Sequence, residues 1–309
     1  MDQLFSAQRR RLLASMVALC GGALPCAAHA AAPTLLSRPV PSSREMIPVV
    51  GLGSWITFNV GNDRAARAAC ADVMRHFFAA GGRLIDSSPM YGSAQDVIGD
   101  GLRQLGRQER LFAADKVWIG SGARGPGQIE ASRRLWGVDR FDLLQVHNLL
   151  AWEAHLPALF AMKAARRLRY VGITTSEGRR HAEVLNIMAS QPIDFVQITY
   201  NIADRDVEQR ILPLASERGI GVIANRPFRQ GALTEGLRRH RLPAWAAEID
   251  CTSWAQVLLK FIVAHPAITC AIPATSSVAH VRENILAATG RMPDAGLRRR
   301  MADDVARLL

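Results

Sequence analysis

The 309-residue sequence predicts a single α/β domain folded as a closed (β/α)8 barrel, and three observations carry that prediction. Short β-type runs alternate with helix-like runs of roughly 10–12 residues, the order that makes parallel strands joined by crossover helices. About eight such units fit into some 250 residues, the number that closes a barrel. Three of the β-type runs also carry chemically active side chains at or near their carboxyl ends. Arg83-Leu84-Ile85 leads into Asp86, Leu111–Trp118 carries Lys116, and Phe141–Asn148 carries His147.

Taken in order, residues 1–30 read as a targeting segment, 31–45 as a linker and 46–309 as the barrel. Arg9-Arg10-Arg11 precede an apolar run from Leu12 to Leu24, and Ala28-His29-Ala30 offers a small-residue cleavage site. Twin arginines followed by Leu12-Leu13 fit a bacterial signal that exports folded proteins. That reading places the protein in the periplasm after a transient encounter with the export machinery, or in the cytoplasm if the signal does not operate. The apolar run is shorter than the roughly 20 residues of a membrane span, so none is expected once the signal is removed.

Ile47–Ser54 reads as a short strand pair, with Trp55 and Phe58 in the loop after it. A helix over 64–80 sets Ala, Val, Met and Phe on one stripe. Strands are then expected over 84–88, 111–118, 141–148, 170–174, 195–200, 221–225 and 269–273. Helices fill the intervals over 95–105, 128–136, 155–168, 179–188, 207–218, 253–264 and 279–288, and a last one covers 296–308. Only the polar stretch Arg229–Cys251 breaks the rhythm. It is too long for an ordinary connection and reads as a functional loop.

The net charge of +11 is almost entirely arginine, since only Lys116, Lys163 and Lys260 are lysines. These arginines are spread over many helix faces without interleaved aromatics, so no nucleic-acid surface is expected. Cys70, Cys251 and Cys270 are an odd set at scattered spacings, with no disulfide framework and no metal pattern. Gly120-Ser-Gly122-Ala-Arg-Gly125 matches a dinucleotide-binding fingerprint, but its context fails. Asp142 begins its strand instead of ending it, and two strand–helix units come before the motif.

The loop Asp86-Ser-Ser-Pro-Met-Tyr91-Gly carries a tyrosine just beyond the first of the three active strands. If those strands are neighbours, about 4.8 Å apart, Asp86, Tyr91, Lys116 and His147 converge in one pocket. A phenol of pKa about 10 is a poor acid at neutral pH, and a nearby ammonium is expected to pull it down. A carboxylate keeps the ammonium charged, and a histidine orients a carbonyl oxygen or relays a proton. The set suits protonation of an oxygen while an external reductant such as a nicotinamide acts on the attached carbon.

Gly51-Leu-Gly-Ser, Asp86-Ser-Ser-Pro-Met-Tyr91-Gly-Ser-Ala, Lys116 and Val146-His147 together resemble the aldo/keto reductase superfamily over about residues 47–290. The resemblance implies reduction of an aldehyde or ketone by NADPH, with NADH as the alternative. It makes Tyr91 the general acid, tuned by Lys116 and Asp86, with His147 positioning the carbonyl. It also implies a cofactor lying across the barrel mouth. Thr174, Thr175 and Gln197 would hold the carboxamide, and Asn225, Arg226 and Phe228 the phosphate side. Ser276, His280, Glu283 and Asn284 would hold the adenosine end. Two departures stand out: Asn225 replaces the aromatic that stacks on the nicotinamide, and Ala274 and His280 replace frequent 2'-phosphate contacts. These departures bear on how the cofactor is held; the alternative that the resemblance also implies is a cofactor-binding sensor or partner subunit with the same fold and little turnover. Trp55, Phe58 and the arginines of 229–241 are expected to give the pocket an apolar wall and a cationic rim.

Overall fold

The computed structural model describes residues 35–106 and 108–309; the targeting segment over 1–30 lies outside them. Eight parallel strands pair in chain order: β3 (Leu52–Gly53), β4 (Leu84–Asp86), β5 (Phe112–Val117), β6 (Leu143–His147), β7 (Tyr170–Thr174), β8 (Phe195–Thr199), β9 (Gly221–Asn225) and β10 (Ile268–Ala271). The two edges meet, because Val50 bridges Ala271 and Gly53 bridges Ala274. Backbone bonds of 2.8 Å from Gly51 N–H to Ala271 O and from Ala271 N–H to Val49 O seal the closure. Gly53 is required there, since a Cβ would stand 2.8 Å from the carbonyl oxygen of Ile272. The predicted eight-stranded barrel is thus the fold.

Helices α1 (Arg64–Ala79), α2 (Ala94–Leu105), α3 (Gly125–Trp136), α4 (Trp152–Ala164), α5 (His181–Ser190) and α6 (Ile211–Arg218) cross over between strands β3 and β9. In α1 the buried residues Cys70, Val73, Met74 and Phe77 recur at helical spacing. Asp63 caps it, its carboxylate accepting from Ala65 N–H at 2.9 Å and Ala66 N–H at 3.0 Å. The polar loop expected over 229–251 is instead largely helical. It holds α7 (Ala232–Leu237) and a 3-10 segment at Ala244–Ile249, with Leu233, Leu237, Trp245 and Ile249 buried. These large apolar residues face inward, a pattern that the charge-rich flanks conceal. Helices α8 (Trp254–Val263), α9 (Val278–Leu286) and α10 (Ala295–Leu308) complete the chain.

The expected linker over 31–45 needs correction for its described part. Ser37–Pro39 forms β1, which pairs antiparallel with β2 (Met46–Pro48). Residues 47–54 are therefore not a strand pair of their own: β2 pairs backwards with β1, and β3 opens the barrel. The hairpin plugs the barrel's amino-terminal end, where Val40 and Ile47 are buried with Leu84, Phe112, Leu143, Tyr170 and Phe195. Phe112 and Tyr170 stack there with centroids 5.7 Å apart. Short length and proline hide this hairpin from a pattern search.

Strand alternation then sorts the barrel interior by height. Residues two apart share a face, so β4 sends in Leu84 and then Asp86, and β5 sends in Phe112, Ala114 and Lys116. In β6 the series is Leu143, Gln145 and His147; in β8 it is Phe195, Gln197 and Thr199. Each series runs from apolar at the plugged end to polar at the carboxyl end, where barrel enzymes carry their sites.

Candidate active site

Lys116 is fully buried, and its Nζ donates to Asp86 Oδ1 at 2.6 Å and to Ser87 O at 2.8 Å. The second Asp86 oxygen accepts from Gln197 Nε2 at 2.9 Å and Gln145 Nε2 at 3.4 Å. Ser54 Oγ ties in the strand itself, donating to Asp86 O at 2.8 Å. A buried ion pair persists only when its remaining lone pairs are satisfied, and the two glutamines do this for Asp86. Burial works against the Lys116 charge, yet Asp86 and Tyr91 outweigh it and hold its pKa above the ordinary value.

The loop after β4 brings Tyr91 over this pair. Ser87 N–H donates to Ala114 O at 3.0 Å, and Tyr91 N–H donates to Ser88 O at 3.0 Å. Lys116 Nζ then lies 5.0 Å from the Tyr91 ring centroid. His147 meets the same ring edge-on at 5.7 Å, and Trp55 lies 6.5 Å away. The structure therefore gathers Asp86, Tyr91, Lys116 and His147 from three adjacent strands and one loop.

The electrostatics differ from expectation in one respect. Burial raises the Tyr91 pKa, Lys116 opposes the rise and Asp86 adds to it, so the net shift is upward, not downward. The ammonium acts in the predicted direction, but the desolvation of a buried phenol is larger. His147 is driven down to about 2 by burial and then by Lys116. It is a neutral imidazole at every physiological pH, and its Nδ1 lies 2.7 Å from Ser88 Oγ.

These groups stand at the base of a cavity of about 770 Å³ lined by Trp55, Tyr91, His147, Thr174, Gln197 and Asn284, among others. Asn225, Arg226, Phe228, His280 and Glu283 also line it, whereas Thr175 and Ser276 do not. Thr175 is buried in the wall, with its carbonyl accepting from Asn225 Nδ2 at 2.9 Å, and Ser276 is exposed. Asn225 Oδ1 accepts from Thr199 Oγ1 at 2.8 Å, so this amide is spent on the wall. Gln197 is likewise engaged, with Oε1 accepting from Thr174 Oγ1 at 3.2 Å. Asn284 is buried and lines the cavity, but its amide makes no hydrogen bond to the described residues. Such an amide and a cleft of this size fit a dinucleotide with a small substrate. Phe58, expected in the wall, is wholly buried in the core.

Sequence reasoning missed Ser88, Gln145 and Trp118. Gln145 was within reach, because it lies two residues before His147 and must share its face. The Trp118 ring centroid is 6.5 Å from His147, and Gln128 holds the backbone on both sides of that residue's peptide, at 2.7 and 2.9 Å. Two glycines of the rejected fingerprint serve packing: a Cβ at Gly122 would meet Ala154, and one at Gly125 would meet His155, each at 2.8 Å, whereas Gly120 has open space around it.

The sequence profile of the Aldo/keto reductase family matches residues 49–298. The chain belongs to the aldo/keto reductase family. As an oxidoreductase of that family it is 29% identical over 245 residues to the methylglyoxal reductase YeaE of Escherichia coli K12, covering 77% of this chain and 84% of that protein. It is 25% identical over 246 residues to the NADH-specific methylglyoxal reductase of the same organism, covering 69% and 73%. Among solved structures, an aldo-keto reductase from Klebsiella pneumoniae in complex with NADPH superposes with a TM-score of 0.74 at 23% identity, covering 88% of this chain and 96% of that one. AKR11C1 from Bacillus halodurans, in its holo form, gives 0.72 at 21% identity over the same shares.

Backbone strain concentrates at the same end of this reductase. Of the twelve non-glycine residues with positive φ among the described residues, nine lie in loops at the carboxyl ends of strands. They are Ile56, Asn148, Leu149, Ala151, Glu177, Arg180, Arg226, Arg229 and Gln230. Each such conformation costs on the order of 1–3 kcal/mol and persists only where the surroundings enforce it.

Proposed function

We propose that this aldo/keto reductase reduces the aldehyde or ketone group of a small molecule to an alcohol with NADPH, Tyr91 serving as general acid. The observation that carries the reading is the buried Lys116–Asp86 pair set 5.0 Å from the Tyr91 ring at the base of a dinucleotide-sized cavity. When bound, the cofactor supplies a hydride to the carbonyl carbon. Tyr91 donates its phenolic proton to the carbonyl oxygen, and Lys116 stabilises the phenolate left behind. Asp86 keeps Lys116 charged. Ser88 Oγ already accepts from Met90 N–H at 3.2 Å, so its proton is assigned to His147 Nδ1, and the neutral imidazole then keeps an Nε2–H to orient the oxygen.

The relatives named methylglyoxal reductases make 2-oxoaldehydes the first substrates to assay. NADPH is favoured by the Klebsiella complex, and NADH is the alternative because one of those relatives is NADH-specific. The missing stacking aromatic at Asn225 supports the second reading, a cofactor sensor. A turnover assay with methylglyoxal separates the two, since a sensor binds NADPH without consuming it in the steady state.

Asn284, His280 and Glu283 are assigned to the adenosine end of the cofactor. Asn284→Ala is expected to weaken NADPH binding by about 1–3 kcal/mol while barely changing kcat at saturation. Fluorescence titration checks this, and an unaltered Kd counts against the assignment.

We also propose export after folding. A nicotinamide enzyme meets its cofactor in the cytoplasm, and a twin-arginine route moves proteins already folded around one. The buried free thiols of Cys70, Cys251 and Cys270 agree with folding that needs no disulfide. Replacing Arg9 and Arg10 with Lys should trap an uncleaved, active precursor in the cytoplasm. Wild-type protein found only there, with Met1 intact, would refute export.

A further inference from the structure

Arg226, from the loop after β9, and Glu177, from the loop after β7, both line the cavity and form an ion pair with each other. The pair spans the carboxyl end of β8, the strand that carries Gln197 and Thr199. The Arg226 guanidinium also lies 5.8 Å from the centroid of the Trp55 ring. With the Gln230 amide turned so that its oxygen faces the guanidinium, that oxygen accepts from Arg226 at 2.9 and 3.2 Å. The backbone is held as firmly as the side chain. Arg226 sits at φ +52°, and its carbonyl accepts from Asn201 Nδ2 at 3.1 Å. One arginine thus joins three loops at the cavity mouth.

With Arg226 taken as a phosphate-side residue, as the family resemblance implies, we propose that Glu177 holds its guanidinium until the diphosphate of the cofactor arrives. The Glu177 carboxylate stands in for a phosphate, and binding exchanges one anion for the other. The inference rests on the NADPH reading of the same cavity. Arg226 is the most enclosed of the three arginines lining the cavity: its side chain is 20% exposed, against 61% for Arg179 and 72% for Arg238. An enclosed cation interacts more strongly with an anion than a solvated one. A guanidinium fork also matches phosphate oxygens two at a time. Release does not strand Glu177, because Arg179 Nη2 remains 3.0 Å from its other oxygen. The exchange therefore leaves no unpaired charge on either side.

The test is a double-mutant cycle on NADPH affinity, read by fluorescence titration of the full chain. Glu177→Gln removes the competitor and should tighten binding about 2–5-fold, the scale of a partly solvated ion pair. Arg226→Gln should weaken it about tenfold or more, the scale of a lost charge-assisted contact. In the Arg226→Gln background, Glu177→Gln should change nothing. Weaker binding by Glu177→Gln would show that the pair preorganises the site, and would overturn the exchange. Equal tightening in both backgrounds would reduce Glu177 to a general field effect and overturn it as well. Failure of the wild-type chain to bind NADPH would overturn both the cofactor reading and this one, an outcome distinct from the other two.

Discussion

Tyr91→Phe is expected to lower kcat by about a hundredfold or more while NADPH binding survives. The ring, with its contacts to Lys116, His147 and Trp55, stays in place, and only the proton donor is lost. The raised pKa of Tyr91 sets the pH behaviour of the wild type. The phenol stays protonated through the neutral range, so activity should fall only on the basic side, as the donor ionises. Steady-state kinetics with a cofactor titration check both halves, and near-normal turnover in the variant would remove Tyr91 from the mechanism.

Lys116→Met should abolish turnover by a different route. Without the neighbouring ammonium the forming phenolate is unstabilised, and the Tyr91 pKa rises further, so any residual basic limb moves to higher pH. The substitution also leaves Asp86 as a buried, uncompensated charge, which costs about 3–5 kcal/mol of stability. The sign of the linkage follows from the raised pKa of Lys116. Its stabilising contribution is present through neutral pH and is lost only as pH rises through that elevated value. Circular dichroism therefore has to establish that the variant is folded before rates are compared. Retained activity with an unchanged pH–rate curve would make Lys116 structural.

Much of the barrel and the four converging groups were legible in the sequence for one reason. Strands alternate with period two, so Asp86, Lys116 and His147, at or near the ends of their apolar runs, announce both their positions and their face. Tyr91 is legible because Pro89 and Gly92 force a loop immediately after Asp86. Features that depend on distant partners were hidden. The β1–β2 hairpin is two three-residue strands, whose pairing appears only when Val40 and Ile47 meet the barrel floor. Ser88 gains its role from His147, 59 residues later. The sign of the Tyr91 shift depends on how deeply the ring is buried, which no motif encodes. For the same reason Thr175 was placed at the cavity by its neighbours in sequence, while the fold turns it into the wall.

Transfer of deuterium from NADPH labelled at the nicotinamide C4 position tests the central claim most directly. The proposed chemistry predicts that, with methylglyoxal as substrate, the label appears on the carbon that becomes the alcohol, and that Tyr91→Phe slows its appearance about a hundredfold or more. Cofactor that binds but keeps its label, or label that is lost to water, would contradict it.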